Sequence, residues 1–224
     1  MMGNIKGFAW NCGGLRRHTA STYSKVMFFE KNFMNDFDFF FFIETHHKDD
    51  NDIPNELLRY KDTHHIIHSQ TDIHDTHTGI IGLIRNNYTV DENDIEELIQ
   101  GRILRFKMTK PTSNICYRIA VVYFPTNKKI TVEDTQLFAR KLRIDDETSN
   151  DIILGDFNFI DHAKDKKNGL NSKDHQICKI WEPFLEEMDM VDPFRAQNPH
   201  RKIWSFVAPT GNRRIDRIYV KSMN

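Results

Sequence analysis

Ile152-Ile153-Leu154-Gly155-Asp156-Phe157-Asn158 is the stretch on which the reading of this chain turns. Three apolar residues make a short buried strand, a glycine closes it, and two oxygen-bearing side chains follow two positions apart. On extended backbone, residues i and i+2 point to one face, so Asp156 and Asn158 offer a carboxylate and an amide to the same space. Packing alone gives such a pair little purpose. A hard metal ion or a phosphate gives it one, provided other parts of the chain deliver partners.

Candidate partners occupy equivalent places. Asn11 follows Phe8-Ala9-Trp10, Glu44 follows the run Phe39 to Ile43, and Tyr123 ends Ala120-Val121-Val122. In α/β sheets, ligands collect where strands end at their C-termini. Asn11, Glu44, Tyr123, Asp156 and Asn158 can therefore face one pocket. Each alone has a plainer explanation: a turn residue beside Gly13-Gly14 for Asn11, a solvated strand end for Glu44, half-buried core for Tyr123 and a cap for Asp156. Together, the carboxylates and amide favour Mg²⁺ or a similar hard cation. Such an ion neutralises a phosphodiester, while Asn and Tyr hold phosphate oxygens or orient water. His46, His47, His64, His65, His68, His74 and His77 lack metal-binding spacing, and most read as surface residues.

Outward from these motifs, the chain alternates strands and helices. Strands are expected at 5–10, 36–43, 66–68, 79–85, 102–108, 115–124, 151–155, 203–206 and 214–220. Helices are expected at 21–34, 131–143 and 174–188, from helical apolar spacing and the start signal Thr131-Val132-Glu133-Asp134. The 224 residues suffice for a buried core, and no repeat or composition break divides them, so one domain is expected. Thirty-one Lys and Arg against 32 Asp and Glu give a net charge of −1, so binding to a polyanion requires local concentration of positive charge. Three widely spaced cysteines make neither a disulfide framework nor a zinc motif, which points to a reducing compartment. Met1-Met2-Gly3-Asn4 opens no signal peptide, and no apolar run is long enough to span a bilayer.

The ordered set Asn11, Phe42-Ile43-Glu44-Thr45, Val122-Tyr123-Phe124-Pro125-Thr126-Asn127, Gly155-Asp156-Phe157-Asn158 and Arg214-Ile215-Asp216 resembles the endonuclease/exonuclease/phosphatase superfamily. Val191-Asp192-Pro193-Phe194-Arg195, Trp204-Ser205-Phe206 and Arg213-Arg214-Ile215-Asp216-Arg217-Ile218 resemble most the apurinic-like endonuclease domains of non-LTR (LINE) retrotransposons. The resemblance implies an α/β four-layer sandwich, two mixed β-sheets flanked by helices. It implies Glu44 as the main metal carboxylate with Asn11 beside it, binding Mg²⁺ or Mn²⁺. Tyr123 would contact the scissile phosphate, Asp156 would orient or activate water, and Asn158 and Ser205 would hold phosphate. Asp216 would orient a histidine from a terminal Ser-Asp-His motif. That motif does not follow Asp216 here, so a C-terminally truncated domain with weak nicking activity is expected. The implied partners are double-stranded DNA and, within a longer polyprotein, reverse transcriptase, with a nuclear location. An abasic-site repair nuclease, a phosphatase or a catalytically impaired DNA-binding module are the competing readings.

Charge is concentrated in the tail. Arg195, Arg201, Lys202, Arg213, Arg214 and Arg217 lie within a stretch whose single carboxylate is Asp216. They are read as phosphate contacts along a duplex, with Lys164, Lys166 and Lys167 as a second cluster; the resemblance implies that the loop Val207 to Arg213 lies near the DNA.

Overall fold

Four consecutive phenylalanines and an isoleucine, Phe39–Ile43, form β2, and all five side chains are buried. A strand buried on both faces needs neighbours on each edge and layers above and below it. The computed structural model describes residues 5–15, 19–126, 130–143, 150–209 and 211–222. It shows an α/β fold of two mixed sheets flanked by helices. Two compact units divide at residues 123 and 124.

In the first unit, β1 (Gly7–Asn11) runs parallel to β2, whereas β4 (Ile80–Arg85) pairs antiparallel with β2 and with β3 (His64–Ser69). The sheet order is β1-β2-β4-β3. The parallel pair needs a crossover, supplied by α1 (Ala20–Asn32), which Thr19 caps by accepting from the Thr22 amide. Val26 and Phe29 of α1 pack with Phe40 and Phe42 in one core, where the Phe29 and Phe40 rings lie 4.0 Å apart. A short helix, α2 (Asn55–Leu58), precedes β3. The unit also holds an antiparallel ribbon of β5 (Glu96–Ile99), β6 (Ile103–Lys110) and β7 (Ile115–Tyr123). β5 is absent from the sequence reading because Glu96 and Glu97 are exposed and show no apolar run.

In the second unit, β10 (Asp216–Lys221) lies antiparallel between β8 (Ile152–Asp156) and the two-residue β9 (Met190–Val191). Two helices, α3 (Val132–Leu142) and α4 (Ser172–Glu187), each begin with reciprocal side-chain and backbone capping, through Thr131/Asp134 and Asn171/Asp174. Trp181 of α4 is fully buried among the rings of Phe124, Phe157, Phe159, Phe184 and Tyr219. A further short helix, α5 (Pro193–Gln197), is capped by Asp192.

The strand expected at 203–206 does not form. Phe206 makes a single bridge to Arg213, and the Ser205 hydroxyl accepts from the amides of Ile215 and Asp216, both at 3.0 Å. A side chain thus takes donors that a ladder would otherwise use. Met1 to Asn4, Asn127 of the third motif and Thr210 of the basic loop lie outside the described residues. Among the described residues, no helix is long and apolar enough to cross a membrane.

Candidate functional site

Within the first unit, the end of β2 is held from both sides by backbone hydrogen bonds. Cys12, Gly14 and Leu15 amides donate to the carbonyls of Ile43, Glu44 and Thr45, and the amides of Thr45 and His46 donate to Gly79 and Thr78. Glu44 (φ 60°) and His46 (φ 61°) are both left-handed, a conformation that costs a non-glycine residue about 1–3 kcal/mol. Thr45 and His47 are buried, whereas Glu44 and His46 keep partly exposed side chains.

The Glu44 carboxylate uses its two oxygens differently. Oε2 accepts from Asn11 Nδ2 at 2.8 Å and from the Tyr123 hydroxyl at 2.9 Å. Oε1 lies 3.4 Å from His46 Nε2. Asn11 therefore serves as a donor that orients Glu44, and its own oxygen accepts from the Gly13 amide. Tyr123 is held in turn by Arg102, whose guanidinium lies over its ring and donates to its carbonyl at 3.0 Å. Arg102 also pairs with Asp75, which accepts from the His77 amide. Glu44, His46 and His77 bring one potential ligand atom each within 4.8 Å of one another. The sequence reading placed these two histidines on the surface without a role. Their meeting depends on the pairing of 45–46 with 78–79, which no local spacing announces.

His47 departs further from that reading. Its ring is buried, Nδ1 lies 2.7 Å from Thr45 Oγ1, and Nε2 lies 3.3 Å from His68 Nδ1. Burial, reinforced by His68, lowers its pKa to about 4, so it is neutral at pH 7.

Within the second unit, Asp156 and Asp216 stand directly opposite each other on β8 and β10. Opposed residues of an antiparallel pair put their side chains on one face. Asp156 is buried, and Oδ1 accepts from the Asn158 amide at 2.9 Å. Asn158 is left-handed (φ 51°) and donates from Nδ2 to the Phe124 carbonyl at 3.0 Å. Burial raises the Asp216 pKa against the lowering pull of Ser205 and Arg217. Two carboxylates and an amide thus sit around one strand end.

The basic tail divides into two groups. Arg214 and Arg217 are buried, and Arg195 is nearly so, which corrects their expected role as phosphate contacts. Arg214 pairs with Asp165 and Asp192, Arg195 with Asp165, and Arg217 with Asp161. Their countercharges come from outside the tail, so the local excess of cations was misleading. Arg201 and Lys202 are exposed, and Arg213 is half-buried over the Phe206 ring. A bridge between Lys166 and Arg213 joins the Lys164–Lys167 loop to the Phe206–Arg213 turn, merging two basic clusters that are separate in sequence.

No curated protein sequence matches the chain. Among solved structures, the AP endonuclease LMAP from Leishmania major superposes with a TM-score of 0.71 at 16% identity, covering 97% of this chain and 79% of that one. The APE2 catalytic domain of Xenopus laevis gives a TM-score of 0.63 at 16% identity, covering 96% and 82%. The endonuclease domain of TRAS1, a telomere-specific non-LTR retrotransposon, gives 0.62 at 11% identity, covering 97% and 84%. These likenesses concern the fold. Residues 8–224 match the model of the Endonuclease/Exonuclease/phosphatase family, and the chain belongs to that family.

Proposed function

From this membership we propose that the chain is a DNA endonuclease domain of the retrotransposon kind. It would hydrolyse one phosphodiester of a duplex, with Mg²⁺ or Mn²⁺, to leave a 3′-OH that primes reverse transcription. The observation that carries the reading is the Glu44 carboxylate, fixed at a strand end by Tyr123 and Asn11 through Oε2 with Oε1 3.4 Å from His46 Nε2. A carboxylate oriented by neutral donors and flanked by imidazoles suits a divalent cation. When bound, such an ion neutralises phosphate charge and stabilises the leaving oxygen.

The remaining roles follow from the side chains. Asp156, immobilised by the Asn158 amide, takes the proton of the attacking water, a contribution of about 10²–10⁴-fold. Asn158 Nδ2 carries two hydrogens; one goes to Phe124, and the other is proposed for a phosphate oxygen. Tyr123, whose single hydroxyl hydrogen goes to Glu44 here, would turn that donor to the scissile phosphate when substrate is bound. Ser205 sets the backbone of Ile215 and Asp216, so its contribution is to position Asp216. Lys164, Lys167, Arg201, Lys202 and Arg213 supply the phosphate contacts that track the duplex. In this reading the domain works in the nucleus, beside a reverse transcriptase within a polyprotein.

Nicking of supercoiled plasmid tests the reading, with polymerase extension reporting a 3′-OH at the nick. Glu44→Gln and Asp156→Asn should each lower the rate at least about 100-fold. Nicking by Glu44→Gln at the rate of the unsubstituted chain overturns it. Preference for an abasic over an intact duplex would assign the activity to repair.

A further inference from the structure

We propose that Glu44, His46 and His77 form a binding site for a divalent transition-metal ion, of the zinc or cobalt class, in preference to Mg²⁺. The proposal deepens the reading of Glu44 as the metal carboxylate and rests on it. The chemistry of the donors is the first argument. Imidazole nitrogen suits borderline transition metals, whereas Mg²⁺ takes oxygen donors and keeps its waters. Two imidazoles beside one carboxylate therefore select against the ion that carboxylates alone would hold.

The second argument is geometric. Ligands about 2.1 Å from a tetrahedral ion lie about 3.4 Å from one another. Glu44 Oε1 and His46 Nε2 are 3.4 Å apart. The His46 and His77 rings meet edge to face, with centroids 5.0 Å apart and planes at 83°. Rings in different planes can aim their nitrogen lone pairs at one centre. One donor atom from each of the three residues lies within 4.8 Å of the others, and the His77 ring is exposed.

The third argument is the framework around the ligands. Oriented ligands need partners of their own. Asn11 and Tyr123 occupy Oε2 of Glu44, which leaves Oε1 facing the histidines. A Cβ at Gly14 would come within 3.1 Å of His46 Nδ1, so glycine there makes room for the ring. The loop carrying His77 is pinned at Asp75, whose carbonyl accepts from the Thr71 and Thr78 hydroxyls and whose carboxylate pairs with Arg102. Thr78 then receives the His46 amide at 2.8 Å, which sets the two histidines side by side.

Titration of the intact chain with Co²⁺ alone, without nucleic acid, tests the site through the visible absorption of the bound ion. The expected result is a saturable Co²⁺ site that Zn²⁺ displaces and excess Mg²⁺ does not. His77→Ala and His46→Asn should each weaken Co²⁺ binding about 10- to 100-fold. His77 is exposed, so its substitution leaves folding intact, and asparagine tolerates the left-handed backbone at position 46. Equal Co²⁺ affinity in the unsubstituted chain and His77→Ala, or displacement by Mg²⁺ as readily as by Zn²⁺, overturns the proposal. Histidine-dependent Co²⁺ binding in a chain that fails to nick DNA would remove the nuclease reading and leave the site standing. Mg²⁺-driven nicking with Co²⁺ binding indifferent to His77 would do the reverse.

Discussion

Replacing Arg214 by alanine should destabilise the second unit by about 3 kcal/mol, and the reasoning can be followed atom by atom. The Arg214 side chain is 4% exposed, and its Nη2 lies 2.8 Å from Asp165 Oδ2 while also reaching Asp192. Asp165 is fully buried, and Asp192 spends its other oxygen on the Arg195 amide at the start of α5. Removing one member of a buried ion pair costs about 3–5 kcal/mol, because the partner charge stays buried. Asp165 retains Arg195, which puts the expected cost at the lower end of that range. With a urea slope of about 2 kcal/mol/M, the unfolding midpoint falls by about 1.5 M. Arg213→Ala, one residue away and half-buried, should shift stability by less than about 0.5 kcal/mol and instead weaken DNA binding with a shallower salt dependence. Urea unfolding followed by circular dichroism, beside filter binding at several salt concentrations, separates the two arginines. A cost below about 1 kcal/mol for Arg214→Ala, or equal effects of both substitutions on binding, would refute the assignment.

Three further outcomes are expected. Asp216 has a folded pKa above its unfolded value of 3.8, so the folded chain binds more protons between the two values and stability falls as pH rises through that window. Asp216→Asn should therefore raise the melting temperature at pH 7 and lose that advantage below pH 3.8, while nicking falls; a lower melting temperature at pH 7 would contradict the sign. Gly79 has φ +108°, and a Cβ there would meet Thr45 Oγ1 at 2.5 Å. Gly79→Ala should cost at least about 1–3 kcal/mol and loosen Co²⁺ binding, checked by denaturation and the same metal titration. Trp181→Ala should cost about 3–5 kcal/mol in urea unfolding, since it empties the centre of the aromatic core of the second unit.

The elements legible in sequence were those whose signal is local. Phe39 to Ile43 announces a buried strand, Thr131 and Asp134 announce a helix start, and Gly155-Asp156-Phe157-Asn158 announces a polar strand end. That Asn11, Glu44 and Tyr123 meet is legible because each terminates an apolar run. What escaped is non-local. Arg214 and Arg217 read as free cations because Asp161, Asp165 and Asp192 lie outside the basic tail. His77 is a surface residue as its sequence suggests, but its place beside His46 escaped because only backbone pairing across the β2–β4 end sets it there. β5 escaped because an edge strand with Glu96 and Glu97 exposed carries no apolar pattern, and α5 because five residues are too few to show a period.

The left-handed residues explain why the site takes the form it does. A regular strand continuing past Ile43 would alternate its side chains between two faces that are both core, and Glu44 or His46 would then be buried as a charge or an imidazole. Left-handed backbone at both residues turns the chain so that Thr45 and His47 take the interior positions, while Glu44 and His46 keep access to solvent. The strain, about 1–3 kcal/mol at each, is offset by amide donors from Cys12, Gly14 and Leu15 on one side and carbonyl acceptors at Thr78 and Gly79 on the other. Gly14, Gly79 and Gly101 are points where a side chain would crowd this arrangement. The local rules broken at 44–46 are satisfied by residues far away in sequence, the pattern expected where a backbone is shaped for ligands rather than for packing.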